Sequence, residues 1–240
     1  MKYWPEFFLL TFLALASLFT VNNYRDIQTL EQNKFIQSEL SKTIFKYSLE
    51  AISTVSPTIY HYDQHALYRL KIEKLLQSLQ KSKNELIKTV RLFEDETTQY
   101  IQIATMLKTS NRFIASLANL PLNTPKYLQD QMSTLIALVN QIDYSNNAKV
   151  IKELNLYIQE HEDQLATIDE HGLQWKMIKL HVDFIIQNSN KIDINKEKNN
   201  AEKLIEYITK LQTSLAEQIE RKQFTLFICI GVSIMCLLLC

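Results

Sequence analysis

Two apolar runs without a charged side chain stand at the ends of this 240-residue chain, and they constrain its fold more than anything between them. The first is Phe7 to Val21, extended outward by Tyr3, Trp4 and Pro5, and the second is Phe224 to Cys240. A helix needs about 20 apolar residues to cross a bilayer, with a lower limit near 17. The first run lies near that limit and the second is about at it. The expectation is an N-terminal transmembrane helix over 1–21, an all-helical extracytoplasmic domain over 22–223 and a second transmembrane helix over 224–240. The first run has a rival reading as a cleaved signal peptide, with Ala14-Leu15-Ala16 as the small-residue site. The run continues past that site through Leu18, Phe19 and Val21 into a helical pattern, which favours an uncleaved anchor. Lys2 and the amino terminus point to a cytoplasmic start. The location this implies is the inner (cytoplasmic) membrane, with the main domain outside the cytoplasm. No Lys or Arg follows the second run, so the chain is expected either to continue beyond Cys240 or to end its second span nearly flush with the membrane.

Charge narrows the partners. The chain carries 26 basic and 26 acidic residues, and the segment between the apolar runs is balanced too. A basic face for nucleic acid is not supported, nor is a polybasic membrane patch. All three cysteines, Cys229, Cys236 and Cys240, fall in the second apolar run, so no disulfide braces the polar segment. Cys229 and Cys236 share a helix face, which makes a homodimer contact one reading. Cysteine as a small apolar filler is the plainer one.

Two glycines and four prolines in 240 residues leave few sharp turns. Apolar positions recur at helical spacing nearly everywhere. Leu40, Ile44, Tyr47 and Ala51 form one stripe, and Ile72, Leu75, Leu79, Leu86, Val90 and Phe93 another. Leu128 through Met132, Leu135 and Val139 to Ile142, and Leu204 through Ile208, Leu211 and Leu215 to Ile219, continue the pattern. Each stripe is a face that must be buried against other helices. The fold class is all-α, an elongated antiparallel helical bundle or bundles.

Breaks fall at 119–125, where Thr124 and Pro125 read as N-cap and first helical residue. Others fall at 143–147, at Gly172, at 188–195 and, more weakly, at 80–84. Pro57 is either a reversal or a kink. At about 1.5 Å of rise per residue, outward and inward travel must nearly cancel if both apolar runs meet one bilayer. Reversing only at 80–84 balances the sums better than reversing only at Pro57. The first helix is therefore expected to run to about Gln80, perturbed at 53–63.

Several residue sets could carry chemistry. His61 and His65 share a helix face with Asp63 between them, but a metal would want a third ligand. Tyr62, His65 and Arg69 place a phenol, an imidazole and a guanidinium on one stripe. The arginine fork suits a carboxylate ligand, and a solvated face is the bland alternative. His161 falls in phase with Leu154, Tyr157 and Leu165 and reads as a hydrogen-bonded core histidine. Trp175 reads as a core anchor, and Asp193 with Asn195 as a cap for the last helix. No phosphate loop, nucleophile elbow or cysteine pair appears in the polar segment. No enzyme activity, metal or cofactor is expected.

Three segments carry a family likeness. His61-Tyr62-Asp63 follows an amphipathic helix. Lys108-Thr-Ser-Asn111 is followed by Phe113, Ser116, Leu117 and Pro121. His181 with Ile185 and Ile186 precedes Asp193. Together they resemble the double all-helical ligand-binding domain, the extracytoplasmic part of bacterial sensor histidine kinases and diguanylate cyclases. The resemblance spans about residues 25 to 220. It implies a ligand-sensing module of a two-component or related receptor, recognising a small ligand or a periplasmic protein and signalling through the second transmembrane helix. Tyr62, Asp63, His65, Arg69, Asn111 and His181 are the ligand-binding candidates on this reading. A membrane-anchored helical scaffold with no small-molecule ligand is the alternative.

Overall fold

The structure is a computed structural model. It describes the backbone of residues 4–54, 62–79, 84–120, 124–142 and 148–238, with side chains over the same ranges except 4–10, 62–63 and 237–238. The described residues form seven α-helices and no strand. These are α1 (Trp4–Ser53), α2 (Tyr62–Ser78), α3 (Asn84–Ser116), α4 (Lys126–Asn140), α5 (Ala148–Ala166), α6 (Trp175–Asn188) and α7 (Ile194–Leu238). Short 3-10 turns at Thr167–His171 and Ser189–Lys191 precede α6 and α7. The all-α expectation holds, because the three-four spacing of apolar residues is satisfied only when helices bury those stripes against each other.

The chain divides into two compact units. The first comprises 1–45, 68–89 and 202–240, so it is built from the start of α1, the end of α2, the first turns of α3 and most of α7. Leu40, Ile44, Ile72, Leu86 and Ile208 are fully or almost fully buried in it. Lys222 Nζ reaches Asp26 Oδ2 at 2.6 Å and ties α7 to α1. Lys71 Nζ reaches Glu39 Oε2 at 3.5 Å and ties α2 to α1.

The second unit comprises 46–67 and 90–201. α4 and α5 are an antiparallel pair: the Tyr157 hydroxyl donates to Gln131 O at 2.9 Å, and Gln131 bonds Gln164. Leu128, Met132, Leu135, Val139, Leu154 and Leu165 close their shared core. Lys179 pairs with Glu162, bringing α6 back along α5. Gly172 makes that return possible at φ +82°, a left-handed conformation that other residues adopt at a steric cost. α6, the short turn after it and the start of α7 then follow α3 in the antiparallel sense. Ser110 meets His181, and Thr97 meets Glu197.

Two expectations are corrected. The first helix does not run to Gln80. It ends at Ser53 and α2 folds back on it, for His65 docks on Thr54 and Lys71 on Glu39. Pro57 itself lies outside the described residues. Thr124 is not the N-cap of α4. Pro125 holds that position without a side-chain cap, and its carbonyl receives Leu128 N and Gln129 N at 3.0 Å each. Thr124 is buried instead, with its carbonyl accepting from Gln129 Nε2 at 2.8 Å. The Asp193 cap is present, its Oδ1 accepting Lys196 N at 2.9 Å.

Among the described residues no helix is long and apolar enough to cross a membrane. The two apolar runs lie partly outside the described side chains, at 7–10 and 237–240. Their described parts expose large apolar groups, among them Leu15, Leu18 and Phe19 on α1 and Phe224, Phe227 and Met235 on α7.

Candidate functional site

The second unit holds the polar groups that its apolar packing least explains. One cluster joins α1, α2 and α3. Tyr47 is fully buried and its hydroxyl contacts Thr98 Oγ1 at 3.3 Å. Thr98 spends its own proton on Glu94 O at 2.7 Å, so Tyr47 is the donor. The Tyr47 ring meets His65 and Phe93 edge-on, with centroids 6.1 and 6.3 Å away. His65, 9% exposed, holds Thr54 Oγ1 at 3.1 Å through Nε2. Since Thr54 donates to Glu50 O, the imidazole proton lies on Nε2 in this contact. Lys108 comes from α3 with its ammonium 3.4 Å from Thr54 O. Burial pushes that ammonium below the ordinary lysine range. A phenol, an imidazole and an amine thus meet where the chain reverses after α1.

The second feature is a surface groove of about 540 Å³ between α3 and α6. Met106, Leu180 and Phe184 give it an apolar side; Ser110, His181 and Asp183 give it polar groups. Ser110 Oγ bonds His181 Nδ1 at 3.0 Å. The Phe113 ring lies against the imidazole at 4.3 Å between centroids, fixing its tilt. The volume lies within the roughly 300–1,000 Å³ usual for small-molecule sites.

The structure sorts the six sequence-predicted residues. His181 lines the groove, and Asn111 stands half-buried on α3 one residue after Ser110. His65 is in the buried cluster, not in the groove. Arg69 is exposed on α2, one turn beyond His65, and the chain division assigns it to the other unit. The side chains of Tyr62 and Asp63 lie outside the described residues, as does His61. The stripe Tyr62, His65 and Arg69 is therefore not brought together as one described site. Among the described residues no group of three or more His, Cys, Asp or Glu could hold a metal ion. His161 is half-buried, stacked on Tyr157 at 4.5 Å with Nδ1 3.0 Å from Tyr157 O, a local rather than a core role.

Residues missed by the sequence reading include Tyr47, Thr54 and Lys108 as partners of His65. A signal existed for Lys108. It falls in the α3 stripe of Ala104, Leu107 and Ile114, so a helical wheel places a cation among buried positions. Tyr47 was read as core alone, because nothing in the periodicity reveals a hydroxyl's partner. Compared with known proteins, the chain matches no protein-family model, no curated protein and no solved structure.

Proposed function

We propose that the chain is the extracytoplasmic ligand-sensing module of a bacterial transmembrane signalling receptor, held between two membrane helices. The observation that carries this reading is the Lys222–Asp26 pair in the first unit. Asp26 closely follows the apolar run of α1, and Lys222 nearly abuts that of α7. Two apolar runs that enter a single bilayer from one side would need their bases close together, and this contact supports that arrangement. The pair is exposed and contributes little stability by itself; its value is geometric. Exposed Leu15, Leu18, Phe224 and Phe227 would then face lipid, where such a continuous apolar surface is favourable rather than a liability.

Sensing needs a site and a transmitter. The groove around His181 offers the first. α7 offers the second, because one unbroken 45-residue helix starts beside α3 in the second unit and ends in the apolar run. At about 1.5 Å per residue it is close to 70 Å long. A ligand that favours one of two packings of such a helix would shift its population, provided its affinities for the two differ. The likeness to the double all-helical ligand-binding domain points the same way. A helical scaffold would share the membrane anchoring but need no ligand.

Two readouts on the full chain test the proposal. Bacterial membranes carrying it are washed with alkaline carbonate, and the protein should stay in the pellet. The purified chain is then melted with and without the low-molecular-weight fraction of a bacterial extract. A ligand present at about a hundred times its Kd adds about 2.7 kcal/mol, a rise of roughly 5–10 °C for a domain of this size. Release by carbonate contradicts the membrane half of the reading. Retention without any melting shift in extract favours the scaffold.

A further inference from the structure

The groove between α3 and α6 carries two chemistries on one open surface. Met106 of α3 and Leu180 of α6 are 53% and 61% exposed, and Phe184 beside them is half-buried. These groups can be reached from solvent without any helix moving. Apolar side chains exposed together and rimmed by polar groups mark a binding surface, because covering them removes apolar area from water. Phe184 and Met106 suit a ring-sized body in particular, through ring edges and a polarisable sulfur.

The charge of the groove has one sign. Apart from the imidazole of His181, Asp183 is the one ionisable group among its described lining residues. Asp183 is half-buried, and no hydrogen bond ties up its carboxylate among the described residues. Lys179, one turn earlier on α6, feels that carboxylate, but its ammonium is bonded to Glu162 of α5. Lys179, Glu162 and Asp183 together leave one negative charge uncompensated, and it belongs to the carboxylate that lines the groove. His181 does not compete for a cation. Ser110 is buried and bonds only His181 Nδ1 among the described residues, so its proton goes to that nitrogen. The imidazole proton then sits on Nε2, and the ring offers an ammonium no acceptor.

We infer that this groove binds a small apolar amine, its ammonium on Asp183 and its apolar body on Met106, Leu180 and Phe184. The ammonium gains a charge-assisted hydrogen bond at a carboxylate already partly withdrawn from water. A carboxylate ligand of the same shape meets a like charge there, and a neutral one gains only its apolar contact. The inference rests on the reading of this groove as the ligand site of a sensor and adds the class of ligand. An occupant touches Met106 on α3 and Asp183 on α6 at once, so it bears on the packing of α6 ahead of the short turn that leads into α7.

The test is calorimetric titration of the full chain with 2-phenylethylamine, 2-phenylethanol and 3-phenylpropionate, which share one apolar body and differ in charge. The amine should bind with a Kd in the millimolar range or tighter, and the alcohol about tenfold or more weakly, the loss of one charge-assisted contact. The propionate should bind more weakly still. Asp183→Asn should bring the amine down to the affinity of the alcohol and leave the alcohol unchanged. Leu180→Ser, at an exposed position, should weaken amine and alcohol alike, with melting curves confirming that both variants are folded. The inference is overturned if the amine does not bind, if the alcohol or the propionate binds as tightly, or if either folded variant keeps the parent's affinity for the amine. Should the amine fail while bacterial extract still raises the melting temperature, the ligand class is wrong and the sensor reading stands; failure of both overturns both.

Discussion

Glu197 illustrates how a single buried carboxyl reports on its surroundings. Desolvation raises its pKa above the ordinary glutamate range against the pull of the Thr97 hydrogen bond, with Glu96 adding to the rise and Lys196 opposing it. The folded state therefore holds this proton more tightly than the unfolded chain. Its contribution to stability is full below the unfolded pKa and is lost as pH rises through the raised folded value. Glu197→Gln should remove that dependence, since the amide neither ionises nor loses its ability to accept from Thr97. Melting of the two chains compared at about pH 5 and about pH 8 should show the variant gaining on the parent at the higher pH. An unchanged difference between them across that window would mean the Glu197 carboxyl is solvated.

His65 and Arg69 carry a different lesson at this scale. They are one turn apart in sequence, yet one is buried against Tyr47 and Thr54 and the other is exposed. Spacing alone places side chains on a common stripe, but a stripe can straddle the edge of a packed face.

Among the elements, α4 and α5 were the most legible in the sequence. Leu128, Met132, Leu135 and Val139 recur without a polar interruption, and all four are buried. Gly172 was legible for a related reason, as one of only two glycines in the chain. The reversal between α1 and α2 was not legible. Pro57 can either kink a helix or end it, and the choice is made by contacts remote in sequence, His65 with Tyr47 and Lys71 with Glu39. The groove escaped notice for the same reason. Ser110 and His181 are 71 residues apart, and only the antiparallel run of α6 along α3 joins them. Two substitutions probe these elements. Leu135→Asp places a charge in a fully buried position and should cost roughly 4 kcal/mol or more, seen as a large fall in melting temperature. A neutral result would mean the α4–α5 face is exposed. Gly172→Ala meets no atom within 4 Å, so space is not the obstacle. The left-handed φ is, and the change should cost about 1 kcal/mol. Stabilisation by Gly172→Ala would mean that the return from α5 to α6 does not need that conformation.

At the scale of the whole molecule, the account turns on α1 and α7, the two longest helices, whose outer ends are the two apolar runs. Among the described residues, large apolar groups are exposed on both runs, including Leu15, Leu18 and Phe19 on α1 and Phe224, Phe227 and Ile228 on α7. The Lys222–Asp26 contact brings the bases of the runs together. If the proposal is right, everything between Asn22 and Gln223 lies outside the cytoplasm. The most direct measurement labels one exposed site from outside. Lys149 opens α5 with its side chain 88% exposed and far in sequence from either run. With Cys229, Cys236 and Cys240 changed to Ser, Lys149→Cys is expressed in a bacterial cell. Intact spheroplasts are then treated with a membrane-impermeant maleimide, with lysed spheroplasts as the control. The account predicts labelling of intact spheroplasts equal to that after lysis, whereas labelling that appears only after lysis would contradict it.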